Sequence, residues 1–137
     1  MLDDADLSSI ETLLNNAKTD SLILNDVLAA LGIVQNLQKK YSASVSNIDQ
    51  LLNRIETYVF QHKTDIDYRD MLIIKAHSYF YNKNFDYCYE ALLEINQDYI
   101  FDPDDSSTWE IDGKKYSAYE GAISALLAKL SNQYKSF

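Results

Sequence analysis

The side chains able to do covalent or metal chemistry are few in this sequence, and their spacing decides how they are read. Cys88 is the one thiol, and His62 and His77 are the two imidazoles. A cysteine nucleophile needs a base beside it, which makes Cys88 with His77 the pair to weigh. Cys88, however, stands between Tyr87 and Tyr89 at a helix-packing position, where apolar surroundings keep a thiol protonated and unreactive. Neither histidine has a nearby cysteine or a Glu-x-x-His partner, so solvated or core-edge rings are expected rather than metal ligands. The stretch DPDDSSTWEIDG, from Asp102 to Gly113, carries many carboxylates. A calcium loop counted from Asp102 needs glycine at its sixth place and glutamate at its twelfth. Ser107 and Gly113 stand there, so a solvated acidic loop is expected, with weak cation binding well behind it. No glycine-rich phosphate loop, nucleophile elbow or paired-glycine dinucleotide signature occurs. The expectation is therefore no catalytic residue, no cofactor and no metal.

The residues left with a case for function are aromatic. Eleven tyrosines stand in 137 residues, and AHSYFYNKNFDYCYEALLEI, residues 76–95, is the densest stretch. Tyrosine buries area while keeping a polar tip, which enriches it at protein interfaces. Tyr79 and Tyr89 are expected in the core or at its edge. Tyr81, Tyr87 and Tyr99 fall off the apolar stripe and, with Trp109 as the anchor of the acidic loop, are the candidate partner-binding residues. Ordinary half-buried packing competes for about half of the tyrosine set. Stacking on nucleic-acid bases fails on charge, because no basic groove accompanies the rings.

Composition narrows the partner class. Twelve basic against 21 acidic side chains give a net charge of −9, which repels phosphate backbones and anionic membranes. Nucleic acid and lipid are thus excluded as default partners, and Lys39-Lys40 and Lys114-Lys115 are too small to reverse this. No apolar run approaches the roughly 20 residues that cross a bilayer, so no membrane insertion is expected. The acidic start MLDDADLSS does not read as a signal peptide. A lone cysteine fits a reducing compartment. The expected location is cytoplasmic, with a nuclear one also compatible. The ending NQYKSF carries no helix stop signal, as expected of the N-terminal part of a longer protein.

The elements that must position these rings are helical. Three glycines and one proline in 137 residues leave little material for the tight turns of a sandwich or barrel. Apolar spacing marks a first helix opened by Ser8, with Glu11 as its capping-box partner and Leu7, Ile10, Leu14 and Ala17 on one face. A second begins near Asp20-Ser21 and carries Leu24, Val27, Leu28, Leu31 and Val34, with Gly32 inside it. YSASVSN reads as the separator before a third helix capped by Ser46 or Asn47, with Ile48, Leu51, Leu52, Ile55 and Val59 on its stripe. A fourth helix is expected over 68–81, a fifth over 85–95 and a sixth over 117–133, the last lined by Ala122, Ala125, Leu126, Lys129 and Leu130. Between the last two, Pro103 and the aspartates break any helix. Asp112-Gly113 is the signature of a two-residue hairpin turn, so residues 105–116 form either a loop or a small β-hairpin. The expected fold class is all-α, one domain over 1–137.

Within 76–95, Leu72, Ala76, Tyr79 and Phe80 share a face of the fourth helix, and Phe85, Cys88, Leu92 and Ile95 share a face of the fifth. YNKN between them has the length that joins antiparallel neighbours. This spacing resembles one tetratricopeptide repeat, over about residues 69–102. Leu72 takes the large position, Ala76 the glycine position, Tyr79 the tyrosine, Cys88 the second small residue and Leu92 the phenylalanine. Phe85 matches the aromatic that opens the second helix. Lys75 replaces the usual leucine, and Ile100 stands where the closing proline belongs. A shift back by 34 residues puts Arg54 at a small-residue position, so one repeat fits.

The resemblance implies hairpins stacked as a short α-solenoid or an irregular bundle, and a concave surface that holds a peptide or helix of a protein partner. The carboxylate clamp of chaperone-binding members needs Lys, Asn and Arg at set positions and is not assigned with two arginines, Arg54 and Arg69. The function expected is a non-enzymatic scaffold or adaptor subunit of an intracellular assembly. The alternatives are a homodimerisation domain, with exposed tyrosines meeting across a two-fold axis, and a small enzyme or ligand carrier. Circular dichroism should show mostly helix, with at most a small β component; a substantial sheet signal would overturn the fold class.

Overall fold

The computed structural model describes residues 3–58, 68–98, 108–111 and 113–135. Val59, His62, Tyr99, Ile100, the 101–107 stretch and Asp112 lie outside the described residues. The described residues form α1 (Asp4–Ala17), α2 (Leu24–Leu37), α3 (Tyr41–Tyr58), α4 (Tyr68–Tyr81), α5 (Phe85–Asp98), β1 (Thr108–Ile111), β2 (Lys114–Ser117) and α6 (Ala118–Lys135). The fold is all-α with one small antiparallel β-hairpin, which is, of the two expected forms, the one that residues 108–111 and 113–117 adopt.

Three helix starts differ from the sequence expectation; α2 begins at Leu24 rather than near Asp20-Ser21, and the other two have a cause in their hydrogen bonds. The cap of α1 is Asp3, not Ser8: its carboxylate accepts from the Asp6 amide at 2.8 Å, and Asp6 accepts in return from the Asp3 amide at 3.4 Å. An aspartate at the first cap position outcompetes a serine five residues on, because Asp4 and Asp6 also complement the positive end of the helix dipole. The second correction concerns YSASVSN, which is the first two turns of α3 rather than a separator. Its small polar residues had turn chemistry in isolation, but Ser44 and Asn47 are buried against α2. Ser44 Oγ donates to the Gly32 carbonyl at 2.6 Å and Asn47 Nδ2 donates to Gln35 Oε1 at 2.7 Å. Tertiary hydrogen bonds there override the local preference.

The two central hairpins repeat one another. Adding 44 to the numbers of α2 gives those of α4, Leu24–Leu37 becoming Tyr68–Tyr81, and the start of α3 at Tyr41 becomes that of α5 at Phe85. The turns match bond for bond. Gln38, Lys39 and Lys40 donate to the carbonyls of Val34, Asn36 and Gln35, as Asn82, Lys83 and Asn84 donate to those of Ser78, Phe80 and Tyr79. Lys39 and Lys83 both sit at φ 64°, the left-handed conformation that closes each turn. Under the same shift Gly32 corresponds to Ala76, Ser44 to Cys88, Leu28 to Leu72 and Ile48 to Leu92, and all eight are buried. Small side chains recur where the paired helices approach most closely, and large ones flank them.

The second hairpin stacks on the first, α4 packing against both α2 and α3. At one end α1 covers α2, and Leu7 is its only buried side chain; at the other, α6 packs on α4, α5 and the β-hairpin. The β-hairpin pairs Trp109 with Tyr116 and Ile111 with Lys114, and Gly113 takes φ 77° in the turn. Ile111 is buried, and Trp109 and Tyr116 lie against the core. The core itself runs from Leu28, Ile48 and Leu51 through Leu72, Ala76, Cys88 and Leu92 to Ala122, Leu126 and Leu130.

A methyl group on Gly32 would stand 2.6 Å from Ile48 Cγ1 and 3.0 Å from Cδ1. Alanine gains about 1 kcal/mol in helix propensity, but overpacking costs about 1–3 kcal/mol. Gly32→Ala should therefore be destabilising in chemical denaturation, and the loss should shrink or reverse in an Ile48→Ala background. Ala76→Leu, at the equivalent place in the second hairpin, should cost about 1–3 kcal/mol on the same ground.

Candidate partner-binding surface

The structure separates the four residues singled out in the sequence. Tyr87 is on the surface, 56% exposed, with its ring stacked on Tyr79 at 5.4 Å between centroids. Tyr81 is a correction: it is half-buried against the core. Its ring stacks on Tyr41 at 5.9 Å and tilts against His77 at 4.6 Å. Tyr81 lies off the stripe that α4 shares with α5, but Tyr41, the first residue of α3, covers it. Tyr89, expected at the core, is instead 45% exposed, whereas Tyr79 is half-buried as expected. Trp109 is half-buried on the hairpin, and Tyr99 lies outside the described residues.

Sequence reasoning missed the polar seam between the hairpins. Ser44 Oγ gives its one proton to the Gly32 carbonyl, so it accepts from Ser78 Oγ at 3.3 Å. Ser78 has then used its own proton and must accept from Asn36 Nδ2 at 2.8 Å. The second proton of that amide points to His77 Nδ1 at 3.0 Å, which fixes the ring as an acceptor there, the neutral tautomer protonated at Nε2. Burial, and secondarily the Lys129 ammonium, push the His77 pKa down to about 4. The imidazole is thus neutral at physiological pH. A seam like this was foreshadowed by serine and asparagine recurring at helical spacing inside apolar stripes.

A second polar cluster ties α1 to the α2–α3 turn. Glu11 accepts from Lys40 Nζ at 2.7 Å and from Gln35 Nε2 at 3.1 Å. Its pKa is lowered, chiefly by the hydrogen bond from Lys40 and then by that from Gln35. Cys88 is buried, and the apolar surroundings push its thiol up to about 12. Among the described residues no group of three or more His, Cys, Asp or Glu side chains is placed to hold a metal ion. No helix among them is long and apolar enough to cross a membrane.

The surface carries large apolar side chains. Ile33 is 42% and Leu37 58% exposed on the same stripe of α2, while Leu13 and Leu22 are exposed near the first interhelical turn. On another side, α3 and α5 both pack against α4 but do not touch each other among the described residues. Along α3 and the α4–α5 turn runs an open cleft of about 370 Å³, lined by Ser42, Val45, Ser46 and Asp49 of α3, Tyr79 of α4, and Asn82 and Asn84 of the turn. Lys75 Nζ bridges to Asp49 at 2.7 Å and lies 5.8 Å from the Tyr79 ring centroid.

Comparison of the chain with protein-family models, with curated proteins and with solved structures finds no match. The functional reading therefore rests on the geometry above.

The His77 pKa yields a pH prediction with a definite sign. The folded value of about 4 lies below the ordinary 6.5, so the unfolded chain binds the extra proton first. The stability tied to neutral His77 is complete above about pH 6.5 and lost as pH falls toward 4. The loss by pH 4 is of order 3 kcal/mol. His77→Gln, which keeps an acceptor but cannot titrate, should lose that much less between pH 7 and pH 4 in urea denaturation. Equal losses in the two proteins would show that the fold does not hold His77 neutral.

Proposed function

We propose that the chain is a non-enzymatic protein-interaction module, similar to tetratricopeptide-repeat proteins and serving as a scaffold or adaptor in a multiprotein assembly. The observation that carries this reading is the 44-residue correspondence between the α2–α3 and α4–α5 hairpins. Leu28, Leu31, Gly32, Ser44 and Ile48 of the first hairpin take the places that the repeat pattern gives to a large residue, leucine, glycine, a second small residue and phenylalanine. A 34-residue period misses this first copy, because the connection between α3 and α4 is longer than in the standard repeat.

Stacked hairpins of this kind offer extended surfaces and few enclosed pockets, which suits recognition of other chains. Exposed Ile33, Leu37 and Tyr87 supply the apolar contact area that such recognition uses. Cys88 and His77, the side chains with the most reactive potential, are both occupied by packing and hydrogen bonding.

The reading is tested by quantitative affinity capture with the wild-type chain and two surface variants, Tyr87→Ser and Ile33→Ser/Leu37→Ser. Each variant should melt like the wild type, since the replaced side chains are exposed. At least one should lose a defined set of captured proteins by 10-fold or more, roughly the loss of one moderate interface contact. Identical captured sets for all three would remove the proposal. Sedimentation of the same samples reads the homodimer alternative, in which a variant shifts the wild type from dimer to monomer.

A further inference from the structure

The cleft along α3 and the α4–α5 turn is bordered by an exposed aromatic ring and by carboxylates. The α3 residues Ser42, Ser46 and Asp49 line one side and Tyr79 of α4 another, and Lys75, one turn before Tyr79, bridges to Asp49. Beside the cleft, the ring of Tyr87 on α5 stacks on that of Tyr79 at an interplanar angle of 29°, and Tyr87 remains 56% exposed.

The charge around this ring pair is negative. Burial holds the Tyr79 phenol above its usual pKa, and Asp49, Tyr87 and Glu90 each add to that effect. Asp49 of α3 and Glu90 of α5 thus act on one ring. Lys75 offsets one of the two carboxylates, yet Asp49 keeps 42% of its side chain exposed while bridged to it. Glu90 is exposed.

We propose that this cleft binds a basic peptide segment of a partner protein, with an arginine or lysine side chain laid on the outer face of Tyr87 and reaching Glu90 and Asp49. The proposal rests on the interaction-module reading and specifies its partner. Three features select the occupant. An aromatic face beside carboxylates favours a flat or compact cation over a neutral group. Ser42, Ser46, Asn82 and Asn84 line the cleft with hydrogen-bonding groups suited to a peptide backbone. The net charge of −9 attracts a basic segment over long range and repels an acidic one. Lys75 over Tyr79 is the same cation-on-ring contact, made within the chain.

The probe is a random octapeptide library, N-acetylated and C-amidated, selected on the immobilised protein. Retained peptides should be enriched in Arg or Lys and depleted of Asp and Glu. A fluorescein-labelled copy of the most enriched peptide should bind more weakly as ionic strength rises. Its dissociation constant should increase at least about 10-fold for Tyr87→Ser/Glu90→Lys and stay unchanged for Ile33→Ser/Leu37→Ser. Glu90→Lys alone should give a smaller loss in the same direction, which keeps the test intact if the double variant melts early. Retained peptides without basic enrichment, equal binding by the cleft variants, or no retained peptide at all would each overturn the cleft assignment. The affinity-capture result stands apart from these outcomes, because it asks whether any surface of the chain holds a partner.

Discussion

The close approach of α2 and α3 at Gly32 is the contact on which the remaining architecture depends. With no side chain at Gly32, Ile48 settles against the α2 backbone and Ser44 comes within 2.6 Å of the Gly32 carbonyl. That hydrogen bond uses the only proton of Ser44 and leaves its oxygen able only to accept. Ser78 of the second hairpin arrives at that oxygen, Asn36 at Ser78, and His77 at Asn36. The order of donors and acceptors across two hairpins thus follows from one glycine. Buried polar groups in such a chain are favourable only when every member is satisfied, which gives the stacking one preferred geometry.

The same constraint explains the distribution of surface and core. Hairpins that meet through small residues bring their helices close together, so aromatic side chains are displaced to the flanks. Phe80 and Phe85 pack edge to face at 5.4 Å on the core side of the turn, whereas Tyr79 and Tyr87 stack on the cleft side. Lys129 of α6 lies 5.9 Å from the Phe80 ring and also bears on His77, so the last helix contributes charge as well as apolar cover. The aromatic density of residues 76–95 is therefore mostly packing, with Tyr87 and Tyr89 as its exposed fringe.

Much of this was legible in the sequence where side chains act within one helix. The apolar stripes of α2 and α6 place the residues that are buried, and the end of α4 follows from the polar turn after it. Asp112-Gly113 marks the turn of the hairpin because a left-handed residue is needed there, and Gly113 supplies it. What stayed hidden depended on partners distant in the chain. Ser44 and Asn47 have loop chemistry until α2 offers them a carbonyl and an amide. Tyr81 reads as exposed until Tyr41 lies on it. The repeat was missed because its recurrence is carried more by size and turn geometry, at Gly32, Ser44 and Lys39, than by residue identity. Tyr87 was recoverable, since its position off the stripe depends on α5 alone; the cleft beside it was not, since it forms from α3, α4 and the turn after α4 together.

The exchange of Ser44 for Cys88 between the otherwise matching hairpins has a consequence for growth. A stack of like units extends indefinitely when each unit presents the seat that the next one needs. The first hairpin presents a hydroxyl oxygen to the incoming serine. At the matching place the second presents a sulfur, a weak acceptor, which is itself buried. Another copy of the second hairpin would find no equivalent seat there, and its serine would be buried without a good partner. The stack therefore has a direction: the hydroxyl seat that joins the first hairpin to the second does not recur at Cys88.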